Sequence, residues 1–371
     1  MKIETNSIKF DKPLYLESGR ILENYTIVYE IYGTINKQKD NIIIVPHALT
    51  GSHHAAGRYE NEVKAGWWDK LIGDNKTLDT TKYAVICTNN IGSCYGSTGP
   101  MSINPATNEP YRLKFPVLTI SDIVKAQKIL FDKLEIFNVK AIIGGSLGGM
   151  QAICYAIEYP SFADIIIPLA STAYTRPWAI AINKIGIESI RNDKKFNNGF
   201  YDIEDIKKNG MKGLSTARMI GHVSFLNQSL MNEKFGRNYT QLDGLYELFG
   251  RFEIERYLEY NGENFSKYFD PLSYLYCLKT MNIFNAARGS DTLEDSFSNI
   301  KSQFHLISFS SDVLFFPNEM KEMYDIMCKL NKKDICSYYE VDTNIGHDAF
   351  LLEIDKFSQH IINILNKQEI Y

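Results

Sequence analysis

Apolar residues in this chain follow two rhythms. Short runs rich in β-branched and aromatic side chains recur as "YTIVYEIYG" from Tyr25, "NIIIV" from Asn41, "YAVICT" from Tyr83, "VKAIIGG" from Val139, "DIIIPLA" from Asp164, "FHLISFS" from Phe304 and "SYYEVD" from Ser337. Several are apolar throughout, the mark of strands buried on both faces of a parallel sheet. Between them the spacing changes. In "TISDIVKAQKILFDKLEI" the residues Ile120, Ile123, Val124, Gln127, Ile129, Leu130 and Leu134 mostly keep the i, i+3, i+4 interval of one helix face. Strand alternating with helix predicts an α/β fold, a mostly parallel central sheet with helices on both faces.

The alternation stops after Ala170 and resumes near Phe304. Sequences in between, such as "PWAIAINKIGIESIRND" and "GLYELFGRFEIERYLEY", read as helices with almost no strand pattern. The chain thus divides into an α/β core of residues 1–174 and 290–371 and a helical insertion of residues 175–289. Such an insertion is expected to lie over the functional edge of the sheet as a lid. Without a repeat, a low-complexity tract or a Pro-rich linker, it should pack on the core.

Composition narrows the function by exclusion. At 371 residues, 44% hydrophobic and 23% charged, the chain has the make-up of a globular protein, long enough for one large domain with an insertion or for two ordinary domains. A net charge of −4 with scattered Lys and Arg offers no footprint for nucleic acid. The start, "MKIETNSIKFDKPLYLESG", carries charges where a signal peptide needs an apolar core, and no run is long enough to cross a bilayer. A cytoplasmic protein without membrane contact is expected. Cys87, Cys94, Cys154, Cys277, Cys328 and Cys336 form no CxxC pair and read as reduced, mostly buried thiols.

One segment carries chemistry. In "AIIGGSLGGMQA", Gly144, Ser146 and Gly148 fit G-x-S-x-G, with the strand pattern "VKAII" before and the helix pattern "MQAICYAIEY" after. In a nucleophile elbow the serine sits on a strained strand-to-helix turn, where side chains two positions away on either side would collide with neighbouring segments. The turn also sets the serine oxygen at the positive end of a helix. Neither a Walker loop nor GxGxxG is present.

A serine hydroxyl needs a base, and the base needs an orienting acid, in the chain order Ser, acid, His. Of the downstream histidines, His305 lies inside a strand pattern, His360 on a terminal helix and His222 within the insertion. His347, in "DTNIGHDAF" between the last strand and the last helix, is the base by position. Asp312, in "SSDVLFFP" after the strand "FHLISFS", is the acid, its plainer alternative being a cap for the helix near Pro317. An oxyanion hole needs two N–H groups. The loop "PHALTGSHHAAG" supplies Leu49, and the elbow supplies Leu147. His47, His53 and His54 have no carboxylate or cysteine suitably spaced beside them, so no metal site is expected.

Taken together, "PHALTG" (46–51), "NNIGSCYGSTGP" (89–100), "FPVLTISD" (115–122), "GGSLGGMQA" (144–152), "GLSTARMIGH" (213–222), "KFGR" (234–237), "SDVLFFP" (311–317) and "GHDAFLLE" (346–353) resemble the homoserine O-acyltransferase family, of the acetyltransferase type. The resemblance covers most of the chain, in order. It implies an α/β-hydrolase fold with a helical lid, a homodimer formed through that lid, and a tunnel to the serine. It also implies transfer of an acetyl group from acetyl-CoA, a co-substrate with no bound cofactor, to the hydroxyl of L-homoserine in methionine biosynthesis. By motif, Ser146 is acylated, His347 is acid and base, Asp312 completes the triad, and Arg218 and Asp348 hold the amino acid's carboxylate and ammonium. Without the resemblance, Arg218 reads as a surface or ion-pair arginine and Asp348 as a cap for the final helix. Ser121 stands where the family has an arginine, and Pro271 and Leu272 where Ala-Asn is common, which bears on the choice of acyl donor. Succinyl-CoA as donor, serine as acceptor, and simple ester hydrolysis remain the competing readings.

Overall fold

The computed structural model describes residues 1–60 and 64–366; the end of the expected core segment, 367–371, lies outside the described residues. Its central sheet has eight strands: β1 (Ile3–Phe10), β2 (Tyr25–Tyr32), β3 (Ile42–Ile44), β4 (Ala84–Thr88), β5 (Val139–Gly145), β6 (Ala163–Leu169), β7 (Gln303–Phe309) and β8 (Cys336–Val341). Their order is β1-β2-β4-β3-β5-β6-β7-β8. β2 runs antiparallel to both neighbours, and every pairing from β4 to β8 is parallel.

The all-apolar runs have a direct cause. Alternate residues of one strand feed two separate cores: Ile42, Ile44, Ile142, Ile166 and Leu306 face one side, and Ile43, Ala141, Ile143, Ile165, Ile167 and Ile307 the other. On the first side the sheet meets α1 (Ile120–Lys133), α2 (Leu147–Glu158) and α10 (Pro317–Lys329) through Leu130, Met150 and Met323. On the second it meets Trp68 and Leu71 of a long loop and α12 (Ser358–Asn366) through Ile361 and Leu365. Helix α1 starts where its sequence permits: Thr119 accepts from the Asp122 N–H while the Asp122 carboxylate accepts from the Thr119 N–H.

Between β6 and β7 the chain is helical, through α3 (Pro177–Arg191), α4 (Ile203–Asn209), α5 (Lys212–Phe225), α6 (Gln228–Phe235), α7 (Glu253–Tyr268), α8 (Pro271–Asn282) and α9 (Leu293–Ser298). The two ends of this excursion pair with each other: Thr175 N–H donates to Phe284 O at 3.1 Å and Ala286 N–H to Ala173 O at 2.7 Å. Two elements differ from the pattern reading. β1 has no apolar run; it is an edge strand whose residues alternate between half-buried and exposed, so its sequence stays mixed. The stretch "GLYELFG" is not α-helix: a 3₁₀ turn at Leu242–Tyr246 ends there, and α7 starts only at Glu253. Among the described residues no helix is long and apolar enough to cross a membrane.

Candidate active site

Ser146 stands between β5 and α2 with φ 57° and ψ −123°, a left-handed backbone that a β-carbon resists. The glycines explain how the turn fits. A β-carbon on Gly144 would lie 2.4 Å from Gly148 O, and one on Gly148 would lie 2.2 Å from Pro46 O. The flanking pair is equally confined: Gly145 faces the Phe350 ring and Gly149 faces Ser171 Cβ, at 2.3 and 2.6 Å by the same measure. Tight approach of the elbow to the loop after β3 therefore requires glycine on both sides.

The structure brings Ser146, His347 and Asp312 together across 201 and 35 residues of sequence. The Ser146 hydroxyl donates to His347 Nε2 at 2.9 Å, and His347 Nδ1–H donates to Asp312 Oδ2 at 2.7 Å. Asp312 Oδ1 accepts from the N–H groups of Leu314 (2.8 Å) and Phe315 (3.0 Å), so the carboxylate is spent on the histidine and its own turn. It does not cap α10, whose cap is Phe316. Burial alone would push the His347 imidazole down; the Asp312 carboxylate outweighs it and holds the group above its ordinary value.

A second link fastens the histidine loop to the helical excursion. Asn227 N–H donates to Ile345 O at 2.7 Å and Asp348 N–H to Phe225 O at 3.1 Å. These bonds bring α5, and with it Arg218, to the mouth of the triad. Arg218 reaches Thr50 Oγ1 at 3.4 Å and lies over the Phe265 ring at 4.8 Å; among the described residues it makes no ion pair. Asp348 makes no side-chain cap to the short helix that follows, α11 (Ala349–Leu352). Burial raises its pKa, against the lowering influence of His347 and Arg218.

Ser146, His347, Arg218, Asp348 and Leu49 line one cleft. Its remaining walls come from α3, α5 and α8 as well as the core, notably Ile182, Phe225, Tyr274, Leu278, Met281, Leu314 and Phe350. Leu147 opens α2 beside Ser146. Among the described residues, neither the Leu49 nor the Leu147 N–H donates a hydrogen bond to the protein. The wall residues of α3 and α8 were invisible in sequence, because an apolar residue on a helix reads the same whether it faces a core or a cleft.

The other singled-out residues lie apart from the triad. His222 is buried on α5 against Phe225 and Tyr257, and burial together with Arg218 lowers it to about 4. His305 bonds Ser337 Oγ at 2.7 Å and His360 stacks on Tyr339. His54 bonds the buried Glu30, while His47 bonds Ala48 O and the Asn90 N–H. All six cysteines are free thiols. Ser121 lines a different cleft with Glu17 and Arg288. Pro271 and Leu272 form the first turn of α8, capped by Asp270, and neither lines the cleft.

The family model for the alpha/beta hydrolase fold matches residues 41–353. A homoserine O-acetyltransferase of Nautilia profundicola is 58% identical over 366 residues, covering 98% of this chain and 99% of that protein. Among solved structures, a homoserine O-acetyltransferase from Bacillus anthracis superposes with a TM-score of 0.91 at 27% identity, over 99% of this chain and 98% of that one. Esterase E22 superposes with 0.88 at 28% identity, over 98% and 100%. The fold is therefore common to transferases and esterases, but the relative that is 58% identical over nearly the full length of both chains is a homoserine O-acetyltransferase: the chain belongs to the homoserine O-acetyltransferase family of the α/β-hydrolase fold.

Proposed function

We propose that this protein transfers the acetyl group of acetyl-CoA to the side-chain hydroxyl of L-homoserine, a step of methionine biosynthesis, by a two-stage mechanism. Ser146 Oγ attacks the thioester carbonyl as His347 Nε2 takes its proton. The N–H groups of Leu49 and Leu147 hold the oxyanion, and the C–S bond breaks as His347 returns the proton to the departing thiolate. Homoserine then gives its hydroxyl proton to His347 and attacks the acetyl-serine; collapse releases O-acetylhomoserine, and the proton returns to Ser146. Asp312 orients the imidazole and stabilises its cation throughout. Only an acyl group and protons move, so the scheme uses no resident cofactor.

The observation that carries transfer over hydrolysis is Arg218, a guanidinium without an ion pair among the described residues, in the same cleft as Ser146. A planar fork suits the carboxylate of an amino acid, and Asp348 suits its ammonium. The same residue bears on the donor. Arg218 is the one Lys or Arg lining that cleft among the described residues, so a succinyl group would bring a second carboxylate with no cation to meet it. Acetyl is the acyl group that fits. For assembly we propose a homodimer through the helical excursion, supported by the exposed Leu245, Tyr246, Leu248 and Phe249. The reading includes a cytoplasmic location.

Thiol release from acetyl-CoA and from succinyl-CoA, each with homoserine, with serine and with no acceptor, tests the function. We expect release to require homoserine, to favour acetyl-CoA, and to fall by about 10⁴-fold or more in Ser146→Ala. Arg218→Leu should lower kcat/KM for homoserine by about 10²-fold, the loss of a charge-assisted pair. Equal release without any acceptor would make the protein a hydrolase and overturn the roles of Arg218 and Asp348.

A further inference from the structure

His47 lies in the loop that carries Leu49, and it is fully buried. Its two ring nitrogens have opposite partners. Nε2 faces the Asn90 N–H at 3.0 Å, a group that only donates, so Nε2 accepts and the proton resides on Nδ1. Nδ1–H then donates to Ala48 O at 2.8 Å, an oxygen that also accepts from the Gly51 N–H at 3.0 Å. That carbonyl belongs to the same planar trans peptide as the Leu49 N–H and points the opposite way. A bond on the oxygen therefore sets the direction of the N–H.

The second N–H is held in the same manner. The peptide that bears the Leu147 N–H has Ser146 O as its carbonyl, and this oxygen accepts from the buried Ser171 hydroxyl at 3.0 Å and from the Met150 N–H at 3.1 Å. Gln151 joins the two halves: its amide donates to His47 O at 3.2 Å while the side-chain oxygen accepts from Gln127 at 2.8 Å. We propose that His47 and Ser171 are positioning residues for the acyl-transfer step, each fixing from the carbonyl side one of the two peptide planes that stabilise the oxyanion. The proposal rests on the assignment of Leu49 and Leu147 to that role. Preorganised donors matter because they need no reorientation when charge develops, so loosening a plane weakens the transition state more than substrate binding.

Ser171→Ala removes only the hydroxyl and keeps the β-carbon that packs on Gly149. His47→Leu removes both ring bonds, whereas His47→Asn can set an amide N–H at the place of Nδ1. Three quantities are read in each: kcat for acetyl transfer, KM for homoserine, and the rate at which an uncharged aryl phosphonate ester labels Ser146, whose P=O oxygen occupies the oxyanion position. Thermal melts serve as the folding control. We expect kcat and labelling to fall together, about tenfold in Ser171→Ala and about 10²-fold in His47→Leu, with KM for homoserine within twofold. His47→Asn should recover most of the loss. Unchanged kcat in Ser171→Ala would overturn the role of Ser171, and loss of transfer without loss of labelling would overturn both roles, since the defect would then lie with the acceptor. Unchanged kcat in His47→Leu would overturn the role of His47; if that variant does not fold, His47→Phe, which fills the ring's space with neither nitrogen, takes its place on the same terms. A parent protein that the phosphonate does not label at Ser146 would instead sink the nucleophile assignment beneath the proposal, a result distinct from any outcome in the variants.

Discussion

Two opposed influences act on the His347 imidazole: burial disfavours the cation, and the carboxylate 2.7 Å away favours it. The balance lies above the ordinary value of 6.5, and the proposed base works only when neutral. The acid limb of kcat/KM for acetyl-CoA should therefore have its midpoint above pH 6.5 and fall about tenfold per unit below it. Asp312→Asn should move that midpoint down and cut kcat by about 10⁴-fold. A limb that stays in place in the variant would show that Asp312 does not set the titration. Stability runs the other way. A raised folded-state pKa contributes stability that is present below the unfolded value and lost as pH rises through the folded one, so this ion pair supports the fold where the enzyme is least active.

At the scale of elements, the strand–turn–helix of the elbow succeeds because it can press against the loop after β3. Gly148→Ala would put a β-carbon 2.2 Å from Pro46 O, and backbone cannot step aside as a side-chain tip would. The expected cost is about 2–3 kcal/mol in a urea unfolding curve, together with a lower kcat because Pro46 leads directly into His47 and Leu49. Full stability in this variant would mean that the approach is looser than the geometry describes. The elbow was legible in sequence since glycine spacing, strand run and helix run all agree. β1 was not, because an edge strand needs apolar residues on part of one face alone. The "GLYELFG" stretch misled for a related reason: Leu245, Tyr246, Leu248 and Phe249 are exposed, so their apolar character reflects no buried helix face.

That exposure belongs to the whole molecule. Tyr246, Leu248 and Phe249 are 92%, 89% and 87% exposed on the helical excursion, an apolar cluster that a lone chain gains nothing by presenting to water. If the proposed dimer forms there, sedimentation of the parent protein will show a dimer at micromolar concentration. Tyr246→Ser with Phe249→Asp should then weaken association by at least about tenfold, since a buried carboxylate without a partner is costly. A variant that remains fully dimeric would place the interface elsewhere. The excursion also walls the cleft through Ile182, Tyr274 and Met281, so in the proposed mechanism exclusion of water from the acyl-serine depends on α3 and α8 remaining docked on the core.

The sequence alone determined the alternation of strand and helix, the long helical stretch within it, the elbow serine, and a histidine and an aspartate in the chain order of its proposed base and acid. These are local signals, carried by period, by glycine and by position after a strand. Tertiary structure decided everything that depends on distance between segments. It joined Ser146 to residues 166 and 201 positions away, left Arg218 without a salt bridge among the described residues, and assigned His47 to a backbone carbonyl. Both readings of Arg218, as ion-paired and as free, have the same sequence; only the neighbours that folding supplies distinguish them. The same holds for the cleft walls, since hydrophobic periodicity says that a helix face is covered but not by what.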